Sequence, residues 1–246
     1  MNQPQRSVGV VLPSNNVILE SELHRILPPG IAVHTSSLPV TGGSADALLE
    51  MSSAVDPSIE SLVAADVSVL LYACLSTSLV RGLSWDSEFS ADTQARTGLP
   101  CFTAAGATIQ AVRAVGARRI GLVTPYPEEI DRLVPDYFAD NGIDVVAHDS
   151  LGVTDIDEVG RRDPRAVHLM ARSLEGEFDA LVVLATDLRT VEIIDALESE
   201  LGIPVVTTNQ AMAWITLHAL GARQPIAGYG SLLAQMSPKK EEFAHG

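Results

Sequence analysis

Val8-Gly9-Val10-Val11-Leu12-Pro13 is written a second time, with variations, as Ile120-Gly121-Leu122-Val123-Thr124-Pro125, 112 residues further on. The same spacing relates Gly30-Ile31-Ala32-Val33 to Gly142-Ile143-Asp144-Val145. Asp66-Val67-Ser68-Val69-Leu70-Leu71 returns as Asp179-Ala180-Leu181-Val182-Val183-Leu184, at a spacing of 113. Gly98-Leu99-Pro100-Cys101-Phe102-Thr103 returns as Gly202-Ile203-Pro204-Val205-Val206-Thr207, at 104. Val115-Gly116-Ala117-Arg118 matches Leu220-Gly221-Ala222-Arg223, at 105. Matches kept in one order predict an internal duplication. The drop in spacing predicts extra residues in the first copy, around Arg81–Thr97.

Each copy alternates short Val/Ile/Leu-rich runs with amphipathic stretches: Asn16–Leu27, Pro57–Ala64, Glu128–Asn141, Pro164–Leu174 and Thr190–Leu201. Apolar runs of that length suit strands buried on both faces, and strand–helix alternation suits parallel sheets with right-handed crossovers. The expected fold is therefore α/β. It has two pseudo-symmetric, doubly wound, Rossmann-like parallel-sheet halves with the active site between them. Residues 1–98 plus 209–246 are expected to form the first half and 99–208 the second. In such sheets ligands sit at the carboxyl ends of the strands. That rule selects Pro13–Asn16, Ala73–Ser78, Thr103–Ala105, Pro125-Tyr126, Ala185–Arg189 and Thr207–Asn209.

Those tips are rich in Ser, Thr and Asn, contain no histidine, and hold one of the two cysteines. Neither GxGxxG nor GxxxxGK[ST] occurs, so the glycine-rich phosphate cradles are absent. The formal charge of −15 and 4% aromatic content argue against nucleic acid and anionic membranes as partners. No Cys/His cluster has metal-ligand spacing, so no metal is expected. The apolar run Val67–Leu75 is too short to span a bilayer, and the amino terminus enters a strand-like run without a signal-peptide pattern. The expectation is a cytoplasmic protein. The end, Ser237–Gly246, reads as a solvated tail.

Cys74, in Leu71-Tyr72-Ala73-Cys74-Leu75-Ser76-Thr77-Ser78, is the candidate nucleophile. Hydroxyls and helix-start amides beside it can lower a thiol's pKa without a histidine. The alternative is an inert core cysteine, which is how Cys101 is read. Ser14 and Asn16 suit either a helix cap or a ligand contact. Tyr126 takes in the second copy the place of Ser14 in the first, as a packing residue or a phenol that donates to a carboxylate.

At these residues the chain resembles the aspartate/glutamate racemase superfamily, in the branch of maleate cis–trans isomerases and arylmalonate decarboxylases. The marks are Val11–Asn16 with Glu20 and Glu22, Tyr72-Ala73-Cys74 with Ser76, Val123–Tyr126 and Thr186–Thr190. The resemblance implies a homo-oligomeric enzyme that uses no metal or organic cofactor and acts on a small dicarboxylate. It implies that Cys74 adds to the double bond of maleate, and that rotation and elimination give fumarate. Ser14, Asn16, Leu75, Ser76, Tyr126 and Thr186 would hold the substrate. Two departures stand out. Ala185 fills the place of the family's second cysteine, by divergence or by a Cys→Ala substitution made to trap a ligand. Ile156 stands where an isomerase asparagine is expected. A decarboxylase or racemase of a related 2-substituted dicarboxylate, or a catalytically silent dicarboxylate-binding relative, are the other expectations.

Overall fold

The computed structural model describes residues 6–236; the expected tail at Ser237–Gly246 lies outside them. In chain order the first copy runs β1 (Arg6–Pro13), α1 (Leu19–Ile26), β2 (Ile31–Leu38), α2 (Ala45–Ser53), α3 (Asp56–Ala64), β3 (Val69–Tyr72), α4 (Leu75–Arg81), α5 (Leu83–Thr97), β4 (Cys101–Thr103) and α6 (Ala104–Ala114). The second runs β5 (Arg119–Thr124), α7 (Glu128–Asp131), α8 (Val134–Asp140), β6 (Asp144–Ser150), α9 (Ile156–Val159), α10 (Pro164–Ser173), β7 (Ala180–Val183), α11 (Ile194–Leu201), β8 (Val205–Thr207) and α12 (Thr208–Ala219), with α13 (Ser231–Ala234) after it.

The two parallel sheets have the orders β2-β1-β3-β4 and β6-β5-β7-β8, which are one topology used twice. The residues expected as an insertion form α5, so the first copy has α4 and α5 between β3 and β4 where the second has only α11 between β7 and β8. One expected boundary moves. A division after residue 98 puts Cys101–Thr103 in the second half, but β4 pairs with β3, Leu70 against Cys101, in the first sheet. The Leu70 amide also donates to the Pro100 carbonyl at 2.9 Å. The first sheet therefore ends at Thr103, and the second begins at Arg119. The equivalent helices α6 and α12 pack against each other, and α12 also packs on α1.

Local chemistry explains where the helices depart from the expected stretches. α1 starts at Leu19 because the Asn16 side-chain oxygen accepts from the Ile18 and Leu19 amides, both at 3.1 Å. Pro135 separates α7 from α8, since a proline is tolerated only in a helix's first turn. The innermost strands are all but inaccessible: Val8, Val10, Ile120, Leu122 and Leu181–Val183 are fully buried.

The glycine shared by the two copies has a packing reason. A Cβ on Gly9 would meet Val67, Leu62 and Leu70 at 3.0–3.2 Å, and one on Gly121 would meet the Phe178 ring at 2.9 Å. In each case a side chain rests directly on the backbone of the central strand. Overpacking a filled core costs about 1–3 kcal/mol. Gly9→Ala is therefore expected to lower the melting temperature by about 3–10 °C. A thermal scan showing no change would mean that the Val67 and Leu62 side chains yield freely. Among the described residues no helix is long and apolar enough to cross a membrane.

Candidate active site

In the order 2-1-3-4, the chain leaves β1 to one side and β3 to the other. The crevice beyond their carboxyl ends is the place such a sheet offers to a ligand. Asn16 follows β1 and Cys74 follows β3; Tyr126 follows β5 and Thr186 follows β7. The two crevices face each other, and one cavity is lined by Asn16, Cys74, Leu75 and Ser76 from the first copy and by Tyr126, Thr186 and Asp187 from the second. The rest of its wall is largely apolar, with Val40, Leu48, Ile130, Val153, Ile156 and Val159.

The pairing settles which residue is Cys74's counterpart. Val8 aligns with Val69 across β1 and β3, and its equivalent Ile120 aligns with Ala180 across β5 and β7. The Ala73 amide donates to the Val11 carbonyl at 2.7 Å, and the Leu184 amide donates to that of Val123 at 2.9 Å. Cys74 therefore corresponds to Ala185.

Cys74 is held from its own side. The Thr77 hydroxyl donates to its sulfur at 3.2 Å, and the Ser76 hydroxyl lies 3.4 Å away. The Tyr72 hydroxyl donates to the Thr77 oxygen at 3.2 Å, so a fully buried phenol orients the group that orients the thiol. The expectation of a lowered pKa is overturned. Burial pushes the Cys74 thiol above its ordinary value, and it outweighs the Ser76 and Thr77 hydroxyls and the Thr77 amide, which pull the other way. A thiol raised above its ordinary value keeps its proton near neutral pH, so Cys74 needs a base to become a nucleophile.

The halves are tied at the floor of the cavity. The Asn16 amide donates to the Thr186 hydroxyl at 3.0 Å, which donates to the Ala73 carbonyl at 3.0 Å. Asn16 thus joins three strand tips while its oxygen starts α1, so its capping and site roles coexist. Tyr126 is buried in the cavity wall. Burial is the main reason its phenol is held well above the ordinary value, with Asp187, Cys74 and Asp131 adding to the effect.

Two expected positions stand apart from the cavity. Ser14 is exposed; its hydroxyl accepts from the Val40 amide at 3.3 Å, and it borders an adjoining open concavity with Gly42, Gly43 and Asp155. Ala185 is buried but does not line the cavity, and its φ of 95° is rare for a residue with a Cβ. Such a conformation costs about 1–3 kcal/mol and marks functional sites. Beyond that strained link, Thr186 and Asp187 reach the cavity instead.

Asp187 is the residue that sequence reasoning passed over, although it sits in a quoted mark. Burial pushes its carboxyl up to about 6, against the pull of its own backbone amide. Asn15 was also missed. It lines the cavity and its side chain donates to the Ile156 carbonyl at 3.2 Å, closing the mouth between the copies. A Cβ on Gly43 would come within 2.6 Å of the Ile156 side chain, so the two mouth loops touch there. Cys101 is buried on β4, away from the lining, and burial pushes its thiol up to about 12. No histidine borders the cavity, and the described residues contain no group of three or more His, Cys, Asp or Glu that could hold a metal.

Residues 8–233 match the family model described as arylmalonate decarboxylase. A maleate isomerase from Nocardia farcinica is 31% identical over 243 residues, covering 94% of this chain and 97% of that protein. The maleate isomerase Iso from Pseudomonas putida S16, solved as a cysteine-to-alanine variant with maleate, superposes with a TM-score of 0.90 at 27% identity, covering 95% of this chain and 99% of that one. The Nocardia farcinica maleate cis–trans isomerase, solved as a cysteine-to-serine variant with a covalently bound succinylcysteine intermediate, superposes with a TM-score of 0.89 at 31% identity, covering 94% and 99%.

Proposed function

The chain belongs to the arylmalonate decarboxylase family, and within it we propose a cofactor-independent isomerase that converts maleate, or a close cis-dicarboxylate, to fumarate through Cys74. The observation that carries this reading is the place of the thiol: Cys74 lies at the floor of a two-sided cavity, on the first-half strand tip, held by Ser76 and Thr77. The corresponding second-half tip offers no thiol, which disfavours chemistry that needs a cysteine there.

No Lys, Arg or His lines the cavity. The substrate carboxylates must therefore be met by neutral donors, namely Asn16, the Ser76 hydroxyl, the Tyr126 phenol and the amides at Leu75, Ser76 and Thr186. In a water-poor site such fixed dipoles stabilise charge at little reorganisation cost. Addition of sulfur to one alkene carbon converts the double bond to a single bond. Rotation and elimination then release the trans isomer.

Incubation of the purified chain with maleate, followed by proton NMR, is expected to show fumarate without added metal or nucleotide. Intact mass after an acid quench is expected to show one maleate mass added to the protein. Release of carbon dioxide from a 2-substituted malonate with no fumarate from maleate would move the assignment to the decarboxylase reading. Stabilisation by maleate with no turnover of either substrate would leave a binding protein.

A further inference from the structure

The cavity wall holds three titratable side chains, Cys74, Tyr126 and Asp187. We infer that Asp187 is the catalytic acid–base of this site, carrying one proton between the Cys74 thiol and a substrate carbon. This deepens the isomerase reading and rests on it.

Geometry and chemistry eliminate the other candidates. Cys74 enters the reaction protonated, so its proton must leave as the S–C bond forms, and the adjacent carbon must gain one. No histidine is present to do this. Ala185, Cys74's counterpart, has nothing to titrate. Tyr126 gives up its proton far too reluctantly to act as a base near neutrality. Asp187 reaches the same cavity from the strand tip opposite Cys74, and its charge acts on both Cys74 and Tyr126. The further charge that acts on this group of residues is Asp131 on α7, which acts on Tyr126. Asp187 accepts from its own backbone amide, and burial shifts it toward the pH at which a group both takes and returns a proton.

The steps balance. The Asp187 carboxylate takes the thiol proton. A sulfur electron pair forms the S–C bond, the π pair moves to the neighbouring carbon, and Asp187 returns the proton there. After rotation about the new single bond, Asp187 removes a proton from that carbon. The electron pair rebuilds the double bond, the C–S bond breaks, and the thiolate recovers its proton from Asp187. Nothing is oxidised or reduced, and no co-reactant is consumed.

The test compares wild type, Asp187→Asn and Asp187→Glu with maleate as substrate from about pH 4.5 to about pH 8.5, a range that spans the shifted carboxyl. The cycle starts from the carboxylate, so wild-type kcat/KM is expected to fall as pH is lowered through about 6. Asp187→Asn is expected to lose on the order of 10²–10³ in kcat, with KM changed by less than about fivefold, and to lose that acid limb. Asp187→Glu is expected to keep a limb. Misfolding can be told apart. A carboxyl held at about 6 in the folded chain, above its ordinary 3.8, weakens the fold as pH rises between those values. The neutral amide removes that cost, so the Asn variant is expected to melt no lower than wild type at about pH 7. A kcat for Asp187→Asn within about fivefold of wild type, or an acid limb that survives in it, would overturn the assignment. Absence of fumarate from the wild type itself would instead overturn the isomerase reading, and the assignment with it.

Discussion

Cys74→Ser is expected to reduce maleate turnover by on the order of 10⁴-fold or more while leaving the melting temperature within about 3 °C of wild type. The substitution exchanges one atom. Ser76 and Thr77 can make the same hydrogen bonds to an oxygen, and the neighbouring Tyr72, Ala73 and Leu75 are buried packing that it leaves untouched. The nucleophile is what disappears, because an alcohol holds its proton far more tightly than a thiol and adds to alkenes much more slowly. The intact-mass adduct should vanish with it. Turnover within tenfold of wild type would show that the thiol takes no part in the reaction. The outcome also separates an enzyme from a silent binder, since maleate should still stabilise the serine variant if only the chemistry is lost.

Glu22→Ala is expected to cost about 3–5 kcal/mol of stability, the largest loss among single changes away from the cavity. Glu22 sits on α1 and is 2% exposed. Its carboxylate accepts from the Thr190 amide at 2.8 Å, the Val191 amide at 3.2 Å, the Thr190 hydroxyl at 3.3 Å and the Asn209 side chain at 2.7 Å. One side chain of the first copy thus pins the second-half loop that follows Asp187, and the start of α12. Burial pushes this carboxyl above its ordinary value, and the four donors pull it back. Truncation to alanine leaves those donors buried with no acceptor. At about 2–4 °C per kcal/mol for a chain of this size, the melting temperature should drop by roughly 8–15 °C. Glu22→Gln keeps one acceptor oxygen and should lose about half as much. A drop of less than about 3 °C for the alanine variant would show that water replaces the carboxylate there. Turnover should fall as well, because the loop carrying Thr186 and Asp187 is anchored at Thr190.

Glu22 was legible as a residue but not as a clamp. It stands beside Glu20 among the marks of the resemblance, and Glu20 remains near the surface, accepting from the Thr35 hydroxyl. Burial distinguishes the two, and burial depends on what α1 packs against 168 residues later in the chain. Asp187 was passed over for a related reason. In the sequence it lies in a polar run, Thr186-Asp187-Leu188-Arg189-Thr190, where any carboxylate reads as solvated. Its shift arises from burial in the cavity wall, which the local sequence does not show. The predicted lowering of the Cys74 pKa erred in the same direction: the local hydroxyls and amide were counted, and the desolvation was not.

The repeated phrase at Val8 and Ile120 determined by itself the duplication, the parallel sheets and the strand tips where a ligand belongs, because strand burial and crossover handedness are written in local periodicity. Its spacing of 112 would pair Cys74 with Thr186, one residue from the Ala185 that the resemblance places there. That was resolved only by strand register, Val8 against Val69 and Ile120 against Ala180, which assigns Ala185 to the place and leaves Asp187 to reach the cavity. Register and desolvation are properties of surfaces that meet across the fold, and each half of the chain carries only one side of them.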